Sequence, residues 1–159
     1  MDSVSIAQRW FRALNDGSIA LELLAPDLEG FVPGTEEGNG QELIRSFVSG
    51  MMHVFPGVQH ELHFLTAFEK GVVVEGVIAG THGNLTPASR EHLAGTTVRF
   101  RFCTVLEIQG QLIVSYRAYY DQLDLLKQLG QSWSARDTGD PPPDPLPPSG
   151  SDNKRHRTT

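Results

Sequence analysis

The chain has 159 residues, a formal net charge of −6 and a single cysteine. The acidic balance argues against nucleic acid as a main partner, because binding to phosphates requires an excess of lysine and arginine. Cys103 has no second cysteine with which to form an internal disulfide, which fits a reducing cytoplasm. No stretch has the length and hydrophobicity of a membrane span, so we expect a cytoplasmic protein without a membrane-embedded part.

The first part of the chain has the hydrophobic periodicity of α-helices. Three helices are predicted over residues 3–15, 18–25 and 40–55, and the second and third stop at a proline. The apolar positions of the first helix are Ile6, Trp10, Phe11 and Leu14, and those of the third are Leu43, Phe47, Met51 and Phe55. A short strand or turn near residues 28–34 separates the second and third helices.

Beyond residue 57 the apolar period changes to two, which is typical of β-strands. Four segments rich in β-branched and aromatic residues follow, at 58–68, 71–80, 96–108 and 111–121. We therefore predict four strands of at least ten residues each, long enough to form a substantial sheet.

Turn signals connect these strands as antiparallel neighbours. Lys70-Gly71 and Gln109-Gly110 predict tight hairpins, residues 81–95 form a longer loop, and residues 121–130 predict a short C-terminal helix. Helices followed by a meander of strands indicate an α+β fold. We expect a curved antiparallel β-sheet wrapped as a cone around three N-terminal helices, and a cone of this kind encloses a pocket.

The last segment of the chain, residues 132–159, differs in composition from the rest. It holds most of the prolines and has no periodic apolar pattern, so we predict that it is disordered and that the folded domain covers residues 1–131. The run "PPPDPLPP" within this tail suits either an inert spacer or a ligand for a proline-reading domain.

Several polar motifs invite a catalytic interpretation. The "HELH" motif at 60–63 lacks metalloprotease spacing and lies in a predicted strand, where its two histidines face opposite sides, so we expect no metal. Cys103 is interpreted as a small buried residue rather than a nucleophile. His82 lies where a strand runs into the long loop, and it is either catalytic or a structural histidine bonded to a backbone carbonyl.

Four segments together resemble the SnoaL-like polyketide cyclases. They are "LLAPDLEGFVPG" at 23–34, "GQELIRSF" at 40–47, "GTH" at 80–82 and "YYDQLDLLKQLG" at 119–130. The resemblance implies the NTF2-like α+β barrel, the cone-shaped fold of ketosteroid isomerase and nuclear transport factor 2. It also implies a hydrophobic, polyketide-like substrate, catalysis without a cofactor, and a homodimer formed through the outer face of the sheet.

The resemblance also locates a departure from the family pattern. Family members that close a ring by an aldol reaction carry an acid/base aspartate on the last strand, and the match of "YRAYYD" at 116–121 places Ala118 there. The family's histidine on the preceding strand corresponds to Thr104. Asp121 lies three residues beyond Ala118, on the opposite face of the strand, and we predict that it caps the closing helix.

These inferences define a predicted site. Its catalytic candidates are Tyr116 and Tyr120 as hydrogen-bond donors, Glu75 as a general acid or base if it faces inward, and His82. The side chains expected to bind substrate are Trp10, Leu14, Phe31, Phe47, Met51, Phe102, Thr104 and Ala118.

Three functions remain open at this point. The first is a cyclase or isomerase that works by shape and hydrogen bonding, with a cycloaddition among its reactions. The second is an accessory role in a hydroxylation step. The third is a non-catalytic module that binds a small molecule. A cyclase that uses the Tyr116 and Tyr120 hydroxyls should slow when both become phenylalanine, whereas a binding module should not.

Overall fold

The N-terminal helix packs against strands of the sheet. A computed structural model describes residues 2–34, 38–83 and 93–130, and α1 spans Ser3–Asn15. Asp2 caps it, because its carboxylate accepts a hydrogen bond from the Ser5 backbone amide at 2.7 Å. The predicted apolar face is confirmed, since all four of its residues are buried. They are Ile6, Trp10, Phe11 and Leu14.

The second predicted helix is wrong. A single 3₁₀ turn, Leu21–Leu23, leads directly into strand β1, Leu24–Phe31. Pro26 explains the difference, because it lacks an amide hydrogen and disfavours helical backbone in the residue before it. As a strand, the segment still buries its apolar side chains, Leu24, Ala25 and Leu28.

The third predicted helix is confirmed as α2, Gln41–Val54, which follows the two-residue strand β2, Gly38–Asn39. Ile44 and Val48 are its buried residues. At its start, the Gln41 side-chain amide donates to the backbone carbonyl of Leu24 at 2.8 Å, which ties the helix to the beginning of β1.

The four predicted long strands are confirmed as β3, Gln59–Phe68, β4, Gly71–Thr81, β5, Thr97–Gln109, and β6, Leu112–Tyr120. The closing helix is α3, Gln122–Gln128. No helix among the described residues is long and apolar enough to cross a membrane.

The sheet has the order β2-β1-β6-β5-β4-β3 and is open at both edges. Its pairs are antiparallel except one, since β1 runs parallel to β6, which corrects the expectation of a wholly antiparallel sheet. In the β5–β6 hairpin the two turn residues are Gly110 and Gln111, with φ angles of 57° and 70°. Two successive positive φ angles are the mark of a type I′ turn, one residue later than predicted.

The α+β class is confirmed: a curved six-stranded sheet carries helices on its concave side and ends in a short helix. Inward-facing side chains of α1, α2 and the long strands form one continuous core. Alternate residues of β4, β5 and β6 therefore point either into this core or to the outer face of the sheet.

Candidate functional site

A small cavity lies inside the cone, between α1, α2 and the concave face of β3–β6. Its volume is about 30 Å³, which exceeds the roughly 10–15 Å³ that a cavity needs in this measure to hold one water molecule. The side chains that line it are Phe11, Leu14, Phe47, Val48, Met51, Met52, Val58, His60, Ile78, Phe102, Thr104, Tyr116, Ala118, Tyr119 and Tyr120. The wall is mostly apolar, and none of the described residues that line it carries a carboxylate.

Tyr116 is a deeply buried polar residue of the wall. Its ring meets the edge of the Trp10 indole at a centroid distance of 5.7 Å, and its side chain is 3% exposed. Burial raises the pKa of the Tyr116 phenol to about 12, and the nearby polar groups of Trp10 and Thr104 act in the opposite direction. The phenol therefore stays protonated at neutral pH and is available as a hydrogen-bond donor.

The indole N–H of Trp10 is a second polar group buried in this region. It is fully buried, and by distance and angle it completes no hydrogen bond within the described part of the chain. It lies beside the Tyr116 phenol and lowers the pKa of that group, so its field acts on Tyr116 even without a well-formed bond. Trp10 thus stands behind the cavity wall and supports it.

Tyr120, the last residue of β6, also lines the cavity. Its ring stacks against Phe47 of α2 at 6.5 Å and packs on Phe100 at 5.3 Å. Burial raises the pKa of its phenol, and a hydrogen bond involving Gln122 partly offsets the rise. Tyr120 therefore places a second neutral hydroxyl beside the apolar surface of α2.

Ala118 and Thr104 are direct partners in the β5–β6 pairing, and both are buried at the cavity. Tyr116, Ala118 and Tyr120 line the cavity, as strand parity predicts, and Tyr119, which has the opposite parity, also contributes to the lining. Asp121 does not line it: its carboxylate accepts from the backbone amide of Asp124 at 3.0 Å and begins α3. The predicted capping role of Asp121 is confirmed.

His60 is a polar residue of the cavity lining that was not among the predicted site residues. Its imidazole packs between Phe11 and Phe102, with centroid distances of 5.5 and 5.6 Å. Burial lowers the pKa of His60 to about 4, so the ring is neutral near pH 7. A sequence signal existed, because His60 shares its strand parity with the apolar residues Val58 and Leu62.

The two histidines of the HELH motif therefore lie on opposite sides of β3, as their strand parity predicts. His63 is exposed on the other side of β3, with Nε2 3.7 Å from a carboxylate oxygen of Glu61. Among the described residues, no group of three or more histidine, cysteine or acidic side chains is arranged to hold a metal ion. Cys103 lies mid-strand and partly buried, and burial is the main cause that raises the pKa of its thiol.

Four predicted site residues lie outside the cavity lining. Trp10 is behind the wall, as described above. Phe31 packs against Tyr119 at 5.3 Å near the end of β1. Glu75 is exposed on the outer face of β4, where it pairs with Cys103. His82 is buried beside Phe55, and its Nδ1 lies 2.8 Å from the Gly83 carbonyl oxygen, as in the structural alternative stated for it.

A family model for SnoaL-like polyketide cyclases matches residues 5–129 of the chain. The match covers well over half of the 159 residues and nearly all of the described structure. A comparison with curated protein sequences finds no match.

Solved structures with the same fold come from several bacteria. A proposed polyketide cyclase from Xanthomonas campestris is 20% identical with a TM-score of 0.70, and the match covers 80% of this chain and 96% of that one. IdmH, a proposed polyketide cyclase from Streptomyces antibioticus, is 20% identical with a TM-score of 0.69, covering 82% and 99%. AclR, a proposed hydroxylase from Streptomyces galilaeus, is 18% identical with a TM-score of 0.68, covering 79% of each chain.

Proposed function

Because the chain belongs to the SnoaL-like polyketide cyclase family, we propose that it is a cofactor-independent cyclase or isomerase acting on an apolar, polyketide-like substrate. The observation that supports this proposal is the composition of the cavity wall. Neutral hydroxyl groups of Tyr116, Thr104 and Tyr120 lie on a mostly apolar surface to which the described residues contribute no carboxylate. Ala118 occupies the position of the aspartate that serves as acid/base in aldol-type relatives.

The absence of a carboxylate from the lining limits the chemistry that we propose. Loss of a positioned general acid or base typically costs about 10²–10⁴ in rate. Holding a flexible chain with its reacting atoms aligned offsets this, since orientation can contribute roughly 7–11 kcal/mol. A pericyclic ring closure such as a cycloaddition needs alignment and no proton transfer, so it suits this wall best.

Tyr116 has a specific role in this proposal. Its phenol stays protonated because burial raises the pKa to about 12. It donates a hydrogen bond to a substrate carbonyl, and that bond strengthens as negative charge develops on the oxygen. Thr104 neighbours Tyr116 across the β5–β6 pair and keeps the donor oriented.

A substrate larger than water requires the cavity to open. At about 30 Å³ the space among these side chains is too small for a polyketide-like molecule. Met51 and Met52 of α2 line it, and unbranched methionine side chains change rotamer at low cost. We therefore propose that the substrate enters between α2 and Tyr120 by displacing these methionines.

Location and assembly belong to the same proposal. The predicted cytoplasmic location rests on the single cysteine and the lack of a membrane span. A homodimer is supported by exposed aromatic side chains on the described surface, with Phe64 53%, Tyr119 44% and Phe68 40% accessible. Analytical ultracentrifugation at micromolar concentration tests the dimer: a single monomeric species would contradict it.

Deletion of the gene in its host, followed by mass spectrometry of the metabolites, tests the proposed reaction. We expect an accumulated species that is isomeric with the lost product. Complementation with Tyr116→Phe should restore product about 10²-fold more slowly than the wild type does, as expected for loss of one preorganised donor. Thr97→Val removes an exposed hydroxyl from β5 and should restore the wild-type rate.

Two outcomes would contradict the proposal. An accumulated species lighter than the product by one oxygen would assign the protein to a hydroxylation step. An unchanged metabolite profile would favour a non-catalytic binding module.

A further inference from the structure

We propose that Nε2 of His60 accepts a hydrogen bond from the ligand, and that the ligand therefore carries a hydroxyl or enol group on an otherwise apolar skeleton. Asn15 is the residue that positions His60 for this contact. The inference rests on the proposed function for the identity of the site, and it adds a specificity element that the family match does not assign.

The Asn15 side chain joins the end of α1 to the start of β3 through three hydrogen bonds. Its Nδ2 donates to the His60 carbonyl oxygen at 3.0 Å, and its Oδ1 accepts from the His60 backbone amide at 2.7 Å. The two backbone groups fix the orientation of the amide, because only Nδ2 can donate and only Oδ1 can accept. The amide oxygen is therefore the atom next to the imidazole.

That orientation determines the tautomer of His60. Nδ1 of the ring lies 3.1 Å from Oδ1 of Asn15, an acceptor without a hydrogen. Nδ1 must then carry the proton, and in a neutral imidazole the other nitrogen, Nε2, presents a lone pair. The neutral ring of His60, which contributes to the cavity lining, therefore offers Nε2 as a hydrogen-bond acceptor.

Nε2 is available to a ligand. It makes no hydrogen bond with any described residue, and it is not sealed in the core, since Trp10 Nε1 is the one fully enclosed, unpartnered side-chain nitrogen or oxygen of the described part. His60 contributes to the cavity lining together with Phe11 and Phe102. A ligand O–H that reaches this wall gains an acceptor that the apolar neighbours do not offer.

The charge environment favours the neutral acceptor. The lining residues of α1, α2, β4 and β5 include no ionisable side chain, and β6 adds the phenols of Tyr116, Tyr119 and Tyr120. Burial is the cause that lowers the pKa of His60. His60 therefore accepts while the phenol of Tyr116 donates, so the wall recognises a ligand with both a hydroxyl and a carbonyl oxygen.

A pair of probe ligands tests the acceptor directly. 2-Naphthol and 2-methoxynaphthalene have the same apolar skeleton, but only the first can donate an O–H. We expect the wild-type protein, titrated by NMR at pH 7, to bind 2-naphthol about 10-fold more tightly, the effect of one hydrogen bond of roughly 1.4 kcal/mol. His60→Phe keeps the ring packing and should remove the preference. His63→Phe, three residues along the same strand, should retain it.

Asn15→Asp tests the positioning role by a readout that packing alone would not move. The aspartate keeps an acceptor for the His60 backbone amide and adds a negative charge beside Nδ1. We expect it to raise the pKa of His60, measured from ring nitrogen shifts in a pH titration, by roughly 1–3 units. In the wild-type spectrum Nε2 should be the unprotonated nitrogen at pH 7.

Several results would overturn the inference: a protonated Nε2 in the wild type, equal affinity for the two probes, no binding of either probe, or a preference that survives His60→Phe. These failures are separate from failure of the proposed function, which the metabolite profile decides. A strain that accumulates the expected isomer while His60→Phe retains the probe preference would leave the cyclase proposal intact and remove only the role of His60.

Discussion

The two faces of the β3–β6 sheet carry different polar groups: charged and paired side chains on the outer face, and buried neutral side chains on the inner face. On the outer face, Arg117 pairs with Glu107 at 2.9 Å and donates to the Ser115 hydroxyl at 2.7 Å, with about a third of both charged side chains exposed. One residue before Arg117, the Tyr116 phenol is buried, and its pKa is raised to about 12. Strand alternation separates these environments by a single residue.

The comparison shows why the inner face suits weakly polar chemistry. The charged side chains of the outer face are partly exposed and paired with each other. The inner face holds only groups that are neutral at pH 7, phenols with raised pKa values and a histidine with a lowered one. Each shift disfavours the charged form, which is the effect of desolvation.

The largest expected effect comes from placing a charge on the inner face. Ala118→Asp places a carboxyl group at the position that we propose for the family's catalytic aspartate, and burial should raise the pKa of that group by about 3–5 units, or roughly 4–7 kcal/mol. The penalty applies at pH 7, where the unfolded state is ionised, and it should diminish as the pH falls towards 4. Urea denaturation at both pH values measures it.

Thr97→Asp on the exposed end of β5 is the matched control and should cost no more than about 1 kcal/mol. If Ala118→Asp were equally mild at pH 7, the inner face would not be a desolvating environment.

The next effect is the acid sensitivity caused by His60. Its pKa is 6.5 when unfolded and about 4 when folded, so the unfolded state binds the proton more tightly between these values. This difference in proton binding has no effect on stability above pH 6.5. As the pH falls from 6.5 to 4, it lowers the free energy of unfolding by about 3 kcal/mol. The wild type should therefore lose about 3 kcal/mol more than His60→Phe between pH 7 and pH 4. If the free energies of unfolding of the wild type and His60→Phe differed by the same amount at pH 7 and pH 4, the lowered pKa of His60 would be contradicted.

A smaller effect is expected outside the cavity, at Asp121. Its carboxylate caps α3 through the Asp124 amide at 3.0 Å, and Asp121→Ala should reduce stability by about 1 kcal/mol. The affinity for 2-naphthol should not change, because the side chain does not line the cavity. A large loss of affinity without loss of stability would show that Asp121 contributes to ligand binding.

Features that depend on residues close together in the sequence were predicted correctly. The face of α1, the four long strands and the cap at Asp121 follow from periodicity and from one short side chain next to a helix start. The helix proposed for residues 18–25 failed because Pro26 and pairing of β1 with β6 outweigh a short helical period. That pairing joins segments about 90 residues apart, and no local signal reports it.

The candidate site was predictable on β5 and β6, where strand parity and the resemblance agree on Thr104, Tyr116 and Ala118. Glu75 shows the limit of this approach, since an acid within an apolar strand does not reveal which face it occupies until the register is known. His60 required a further contact, because its tautomer depends on Asn15, a residue 45 positions earlier in the chain.

The measurement that tests the central claim most directly is product formation after the cavity has been filled. In the deleted host, Ala118→Leu should restore less than about a tenth of wild-type product, because the added methylenes occupy the space between Thr104 and α2. Overpacking costs roughly 1–3 kcal/mol, so the folded fraction is measured alongside by circular dichroism. Ala67→Leu, on the exposed part of β3, is the matched control and should restore full product. Equal product from both variants would contradict the assignment of the reaction to this cavity.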